Sequence, residues 1–350
     1  FTSRRIDLTF DKIDYKYTKV PWRRLRNWFL AELGYQLKWT RVRALPTHLQ
    51  IEPTNICNLR CPLCHVVTDT KPRGRLRLDD FKVLIDEVGR DILFLHFWGW
   101  GEPFLNDEVY EMFHYAKEFG LKIITSTNGH FFESTKNIDR LIDSGVDVLI
   151  FALDGTDPQT YEKYRHNGDF HKVTGNLREL TRRKRELGAT FPRINLRMLV
   201  TRDNEHQVED MKALGRELGV DVFTLKTLCS FDNKPVWETM VPKNPAYRRF
   251  RYDSSGRPVR ITNPCKKPWN HPTVYRDGMV VPCDYHTGTE FNLGNAFATE
   301  SNGFSRVWFG EAYHQFRRMF RNTDHSGYRC ADCSLNFSPV ERCVSHAFPL

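Results

Sequence analysis

His48-Leu49-Gln50-Ile51-Glu52 is followed, after a four-residue link, by Cys57-Asn58-Leu59-Arg60-Cys61-Pro62-Leu63-Cys64. The first five residues read as a short strand, and the next eight as a tight loop that brings three sulfurs to one side. Thiolates spaced C-x3-C-x2-C can hold three irons of a cubane cluster and leave the fourth iron open to a ligand. Two other readings use the same residues: a zinc site with a fourth ligand such as His65, or one disulfide with a thiol left over.

Outward from this stretch, short apolar runs alternate with helical patterns, the signature of parallel β/α units. Strands are expected at residues 48–52, 92–98, 122–126, 146–153, 193–200 and 221–225. Helices are expected at 79–88, 108–119, 135–144, 173–187 and 205–218, with Gly89, Gly120, Gly145, Gly188 and Gly219 as helix stops. The unusual residues fall just after successive strands, where β/α barrels place their active sites. The cysteine triad follows the first strand, Gly99-Trp100-Gly101-Glu102-Pro103 the second, Thr127-Asn128-Gly129 the third and Asp154-Gly155 the fourth. Glycine in the second of these segments would let backbone approach a ligand.

The triad resembles the cluster motif of the radical S-adenosylmethionine (SAM) enzymes, and the resemblance covers roughly residues 45–228. It implies an α/β fold, a partial (β/α)6 TIM-like barrel, with a [4Fe-4S] cluster held by Cys57, Cys61 and Cys64. In that family SAM occupies the open iron, and its reductive cleavage gives a 5′-deoxyadenosyl radical that abstracts hydrogen from a C–H bond. Gly99, Gly101, Glu102 and Pro103 match the family's Gly-Gly-Glu-Pro element, with Trp100 in place of the second Gly. Ser126 and Asn128 resemble the third-strand end that reaches SAM. Asp154 lies in a segment resembling Ser-x-Asp-Gly, although Ala152 replaces the Ser. Arg165 matches an arginine that pairs with a SAM carboxylate, a task suited to a bidentate guanidinium.

Beyond residue 229 the β/α rhythm stops. Cys265 and Cys283 bracket Gly278 in a C-x12-G-x4-C pattern, within a hairpin expected around Arg276-Asp277-Gly278, and Cys330 and Cys333 add a second pair. Two such pairs suit one cluster or one structural zinc. The spacing is similar to the start of the SPASM extension, in its shortened twitch form. That resemblance implies one auxiliary [4Fe-4S] cluster held by Cys265, Cys283, Cys330 and Cys333. The expected organisation is an N-terminal helical extension (1–44), a core barrel (45–228) and an auxiliary-cluster domain (229–350). Cys229 and Cys343 are left over. Cys229 follows the sixth strand, where a thiol could return hydrogen to a substrate radical, or could simply be a small buried residue.

Nine cysteines in 350 residues are too few for a disulfide scaffold, and their grouping suits reduced metal ligands in the cytoplasm. No apolar run approaches bilayer length and no secretory signal core is present. The sequence begins with Phe1, which leaves native residues upstream an open question. The net charge of +9 favours anionic partners, but the run Arg182-Arg183-Lys184-Arg185 reads as a solvated helix face, and no nucleic-acid module accompanies it. From Pro21 onward, Trp22, Leu25, Phe29, Leu33 and Leu37 recur at helical spacing beside Arg23, Arg24, Arg26 and Lys38. This helix is expected to pack on the main domain, with contact to an acidic membrane surface as the alternative.

The leading expectation is a radical SAM oxidoreductase or epimerase acting on a sugar or aminocyclitol, with the auxiliary cluster taking one electron and a flavodoxin or ferredoxin as electron donor. Arg197, Lys226 and Asp284 are candidate bases. A peptide-modifying maturase and a zinc-stabilised binding protein are the alternatives.

Overall fold

Apolar runs with no polar alternation become parallel strands buried on both faces. The computed structural model of the chain describes residues 4–10, 13–228, 238–255, 259, 265–284, 291–298, 302–321, 330, 333 and 344–350. An antiparallel hairpin, β1 (Ile6–Phe10) and β2 (Ile13–Tyr17), precedes helix α1 (Trp22–Gln36). Six parallel strands then follow in spatial order: β3 (His48–Ile51), β4 (Phe94–Phe97), β5 (Lys122–Thr127), β6 (Val148–Ala152), β7 (Arg193–Val200) and β8 (Val222–Thr227). These are the six expected strands, with ends that differ by a few residues. The sheet does not close, so the barrel is partial.

Two C-terminal pieces extend this sheet. β9 (Thr273–Val274) lies parallel to β3 and turns through Gly278 into β10 (Val280–Val281), the hairpin expected at Arg276-Asp277-Gly278. At the other edge β11 (Val344–Pro349) runs antiparallel to β8. The result is one nine-stranded sheet in the order β10-β9-β3-β4-β5-β6-β7-β8-β11.

The outer face of the sheet carries α2 (Leu78–Val88), α3 (Val109–Glu118), α4 (Thr135–Asp143), α5 (Pro158–Tyr164), α6 (Phe170–Glu186) and α7 (Val208–Leu218). Their apolar stripes pack on Leu49, Leu95, Phe97, Ile123, Leu149, Leu196 and Phe223 in one continuous core. α5 is additional to the helices read from sequence. Asp157 caps it by accepting from Thr160 N at 2.8 Å, and Pro158 fits its first turn. The expected stops Gly120, Gly145, Gly188 and Gly219 have left-handed φ values. Gly89 does not: it ends α2 in right-handed conformation at φ −61°, and a Cβ there would lie 2.6 Å from Ile85 O. Close packing, not a turn, requires that glycine.

The N-terminal segment closes the barrel end away from the triad. Ile6, Tyr17, Val20 and Leu25 pack against Phe94, Ile124, Val148, Ile150 and Val222 inside the sheet. Polar groups fix α1 there. Arg24 Nη2 donates to Gly89 O at 2.7 Å and to Phe119 O, and Nη1 to Gly120 O at 3.1 Å and to the Tyr17 hydroxyl at 2.5 Å. The guanidinium thus meets carbonyls at the C-terminal ends of α2 and α3, where a cation is favoured. Asn27 Nδ2 donates to Leu45 O and Asp91 O, and Arg23 pairs with Asp91. α1 therefore packs on the barrel as expected, but by Arg24, Leu25, Asn27, Ala31 and Tyr35. Most of the apolar row read from sequence faces outward, with Trp22, Phe29 and Leu37 at 60%, 48% and 57% exposure.

At the C-terminal side, α8 (Lys267–Asn270), α9 (Gly303–Trp308) and α10 (Glu311–Arg321) pack beside α1 and α2. Trp269 Nε1 donates to Trp39 O at 2.8 Å, and Trp308 Nε1 to Ala44 O at 2.8 Å. Arg317, fully buried, lies over the rings of Trp308 and Tyr313 and donates to Pro268 O and Trp308 O.

Candidate active site

The loop after β3 carries Cys57, Cys61 and Cys64, all as free thiols. Arg73 staples it by donating to Asn55 O at 2.8 Å and Val66 O at 2.7 Å. The loop after β4 is zipped to it, because Glu102 N donates to Ile56 O at 2.8 Å. A Cβ on Gly101 would lie 2.2 Å from Thr54 O, and one on Gly99 2.5 Å from the Glu52 side chain. Both glycines are thus required by the approach of neighbouring chain, a closer constraint than the ligand approach inferred from sequence.

Each sulfur meets a polar neighbour. Leu59 N donates to Cys57 Sγ at 3.4 Å, Asn128 Nδ2 to Cys57 Sγ at 3.8 Å and Arg165 Nη1 to Cys61 Sγ at 3.8 Å, while Cys64 Sγ donates to Trp100 O at 3.8 Å. Burial pushes the Cys57 thiol up to about 12, and raises Cys61 and Cys64 as well. Buried thiols of this kind ionise only when a metal supplies compensating charge. N–H groups aimed at two of the sulfurs suit metal-bound thiolates, so the donor set fits an iron–sulfur cluster. His65, the alternative fourth ligand, packs edge-on against Trp100 at 4.2 Å between ring centroids.

The other expected residues converge on the same mouth. Glu102 is buried and accepts from Asn128 N at 2.7 Å, Thr127 Oγ1 at 3.0 Å and Phe104 N at 3.3 Å. Burial raises it to about 7 in spite of these donors. It therefore locks the loops after β4 and β5 together, and Pro103 opens the short 3-10 turn beyond it. Asn128 Nδ2 reaches Asn58 Oδ1 at 2.8 Å, joining the third-strand end to the triad loop. Ser126 is half-buried near the end of β5. Asp154 accepts from Leu199 N at 2.7 Å and from Arg165 Nε at 2.5 Å, so the Arg165 guanidinium is set between Asp154 and Cys61.

Parts of the second set lie near one another, although no three of its sulfurs form a metal-holding group among the described residues. Cys265 and Cys283 lie close enough to Lys267 and Tyr313 to interact electrostatically, and Cys265 interacts with Cys333 in the same way. Cys330 packs against the main core, and Cys333 N donates to Cys330 O at 3.4 Å. Burial raises the Cys265 thiol to about 11. Lys267 pairs with Asp284, which occupies one of the three candidate bases. Arg197 is buried and donates to Thr224 Oγ1 at 3.1 Å, while Lys226 is half-buried on β8. Cys229 and Cys343 lie outside the described residues.

Sequence reasoning missed the seam between the two cysteine sets. Glu52 N donates to Val274 O at 2.9 Å, so β9 is bonded directly to the end of the strand that feeds the triad. The Glu52 carboxylate, 4% exposed, accepts from the backbone amides of Trp100 and Arg276. Burial raises it to about 7 against those amides and the nearby Arg276 and Lys71 cations. Tyr275 is buried beside it, within electrostatic range of both Glu52 and Cys283. Arg276 Nε also donates to Asn55 Oδ1 at 3.0 Å. An acidic residue ending an apolar strand directly before the triad was the available signal for Glu52. Deeper in the same seam, His96 Nδ1 and His271 Nε2 lie 3.1 Å apart, with His48 packed beside both.

The family model for the Radical SAM superfamily matches residues 51–225. The chain belongs to the radical SAM superfamily. A second model, an iron–sulfur cluster-binding (SPASM) domain, matches residues 265–334 and resolves the choice between cluster and zinc for that region. This radical SAM enzyme thus has a SAM-bound cluster, SAM and an auxiliary cluster as cofactors. The chain is similar to the tungsten-containing aldehyde ferredoxin oxidoreductase cofactor-modifying protein of Pyrococcus furiosus, 26% identical over 318 residues, covering 82% of this chain and 87% of that protein. It is also similar to the mycofactocin maturase MftC of Mycolicibacterium smegmatis, 24% identical over 308 residues, covering 82% and 75%. In fold it is similar to Streptococcus suis SuiB, solved bound to precursor peptide SuiA, with a TM-score of 0.62, 14% identity and coverage of 86% and 72%. No helix among the described residues is long and apolar enough to cross a membrane.

Proposed function

We propose that this radical SAM enzyme oxidises a C–H bond of a peptide substrate. The observation that carries the oxidative part is the seam. The hairpin that leads to Cys283 is bonded to β3, which leads to Cys57, and Tyr275 and Glu52 lie between the two sets. When bound, the cofactors supply a 5′-deoxyadenosyl radical that removes one hydrogen atom and an auxiliary cluster that accepts one electron. Cys57, Cys61 and Cys64 would hold the first cluster, and Cys265, Cys283, Cys330 and Cys333 the second. Asp154 orients Arg165 toward a SAM carboxylate. Glu52, at about 7, can accept the single proton that must leave the substrate to complete a two-electron oxidation. A flavodoxin or ferredoxin would deliver the reducing electron.

The peptide assignment draws on MftC, named as a maturase, and on SuiB, solved with a precursor peptide. Modification of a metal cofactor is the second reading, favoured by the length of the match to the Pyrococcus furiosus protein. Both stand ahead of a sugar or aminocyclitol. The test is 5′-deoxyadenosine formation by anaerobically reconstituted, reduced enzyme with SAM, given separate panels of peptides, tungsten-containing cofactors and aminocyclitols. The expected result is stimulation by a peptide that loses mass by two hydrogens or more, abolished by Cys57→Ala. Stimulation confined to the other panels would refute the peptide assignment.

A further inference from the structure

α1 is held with the wrong face outward for a core helix. At 100° per residue, Trp22, Phe29, Leu33 and Leu37 fall within one narrow arc, along a helix of about 22 Å. Trp22 is 60% exposed, Phe29 48% and Leu37 57%. The helix cannot roll to bury them, because the opposite face is pinned by Arg24 to Gly89, Phe119 and Gly120, and by Asn27 to Leu45 and Asp91. This row is a fixed feature of the surface.

Charge indicates what it meets. Residues 1–44 contain eleven Lys and Arg against four Asp and Glu, so +7 of the chain's +9 resides in the first eighth of its length. Arg26 shares the arc of the apolar row, and Lys19 and Arg43 are exposed at its two ends, while Arg41 is paired with Glu311. Glu32, the acidic residue on α1, is drawn to Lys266. A row of aromatic and aliphatic side chains flanked by cations is the pattern of a helix lying in a lipid headgroup layer. Phosphate backbones would use the cations and leave the apolar row in water. An acidic protein groove could receive the same row, so vesicles of defined lipid, with no second protein present, decide between the two. We propose that α1 is a peripheral docking surface for a bilayer containing anionic lipid. The N-terminal segment closes the barrel end opposite the triad, so docking there leaves the mouth accessible to substrate.

The test is co-sedimentation of the cluster-loaded full chain with sucrose-filled vesicles, either phosphatidylcholine alone or with about one-third phosphatidylglycerol. Binding at least tenfold stronger to the anionic vesicles, weakened when salt is raised from 0.15 M to 0.5 M, is expected. The triple variant Trp22→Ala/Phe29→Ala/Leu37→Ala should lose at least tenfold in binding with melting temperature and SAM cleavage unchanged, since all three side chains project into solvent. Val67→Ala, which removes an exposed valine on the triad loop at the opposite end of the barrel, should bind as the parent does. Equal partition onto neutral and anionic vesicles, or undiminished binding by the triple variant, overturns the proposal. So does failure of the parent to sediment with vesicles, whether or not it binds duplex DNA at the same salt.

Discussion

Replacing Glu52 by Gln isolates the cost of burying a carboxylate in the seam. Burial raises this group from 4.5 to about 7, with the Trp100 and Arg276 amides and the Arg276 and Lys71 cations only partly opposing it. An acid with a raised folded pKa contributes stability that is present below its unfolded pKa and lost as pH rises through the folded one. At about 1.4 kcal/mol per pH unit, the window from 4.5 to about 7 corresponds to roughly 3 kcal/mol. The amide of the Glu52→Gln variant carries no titrating proton. The unfolding free energy of the variant minus that of the parent should therefore climb by roughly 3 kcal/mol between about pH 4 and pH 8, most steeply from 5 to 7. Glu102, which burial raises equally, and His48, His96 and His271, which burial lowers, titrate in both proteins and cancel in the difference. Altered hydrogen bonding by the substituted amide would add a constant offset without slope. Urea unfolding of the reduced apoprotein under argon, at half-unit pH steps, supplies the measurement. A difference that is flat with pH would refute the burial of an ionisable Glu52 between β3 and the C-terminal hairpin.

Gly101→Ala should weaken SAM binding at least tenfold by isothermal titration, because its Cβ would fall 2.2 Å from Thr54 O and force the loop after β4 away from the triad loop. Gly175→Ala, in the middle of α6 with nothing within 4 Å, should instead stabilise the fold by about 0.5–1 kcal/mol in the same denaturation assay. Cys283→Ala should halve the iron per chain while preserving triad-dependent 5′-deoxyadenosine formation, and should abolish the oxidised product. Arg317→Met leaves the Pro268 and Trp308 carbonyls without their donor and should cost about 2–4 kcal/mol, measured as a lowered urea midpoint with unchanged slope.

The barrel was legible because a parallel strand buried on both faces shows as a plain apolar run, and 193–200 coincides with β7 at both ends. The triad and the loops after β4 and β5 were legible because they sit at strand ends. The N-terminal hairpin was missed although Ile6, Leu8 and Phe10, then Ile13, Tyr15 and Tyr17, alternate with polar residues in the sequence. The orientation of α1 could not be read from hydrophobic spacing, because the hydrogen bonds of Arg24 and Asn27 to distant carbonyls outweigh the preference of its apolar row for the interior. Glu52 and Arg276 are 224 residues apart in sequence. Nothing local marks such a pair, since the contact exists only after the C-terminal hairpin joins β3.

Both flanks of the central sheet are supplied late in translation. When residue 228 leaves the ribosome, all six barrel strands exist, yet β3 and β8 still present open rows of amide and carbonyl groups. β9 arrives some 45 residues afterwards and β11 more than 110 residues afterwards. Until then the nascent barrel is a template for pairing with other chains, and its first cysteine triad lacks the wall formed by Tyr275 and Arg276. Cluster insertion and release from chaperones would accordingly be tied to the emergence of β11, and truncation before Val344 would be expected to yield aggregated, iron-poor protein.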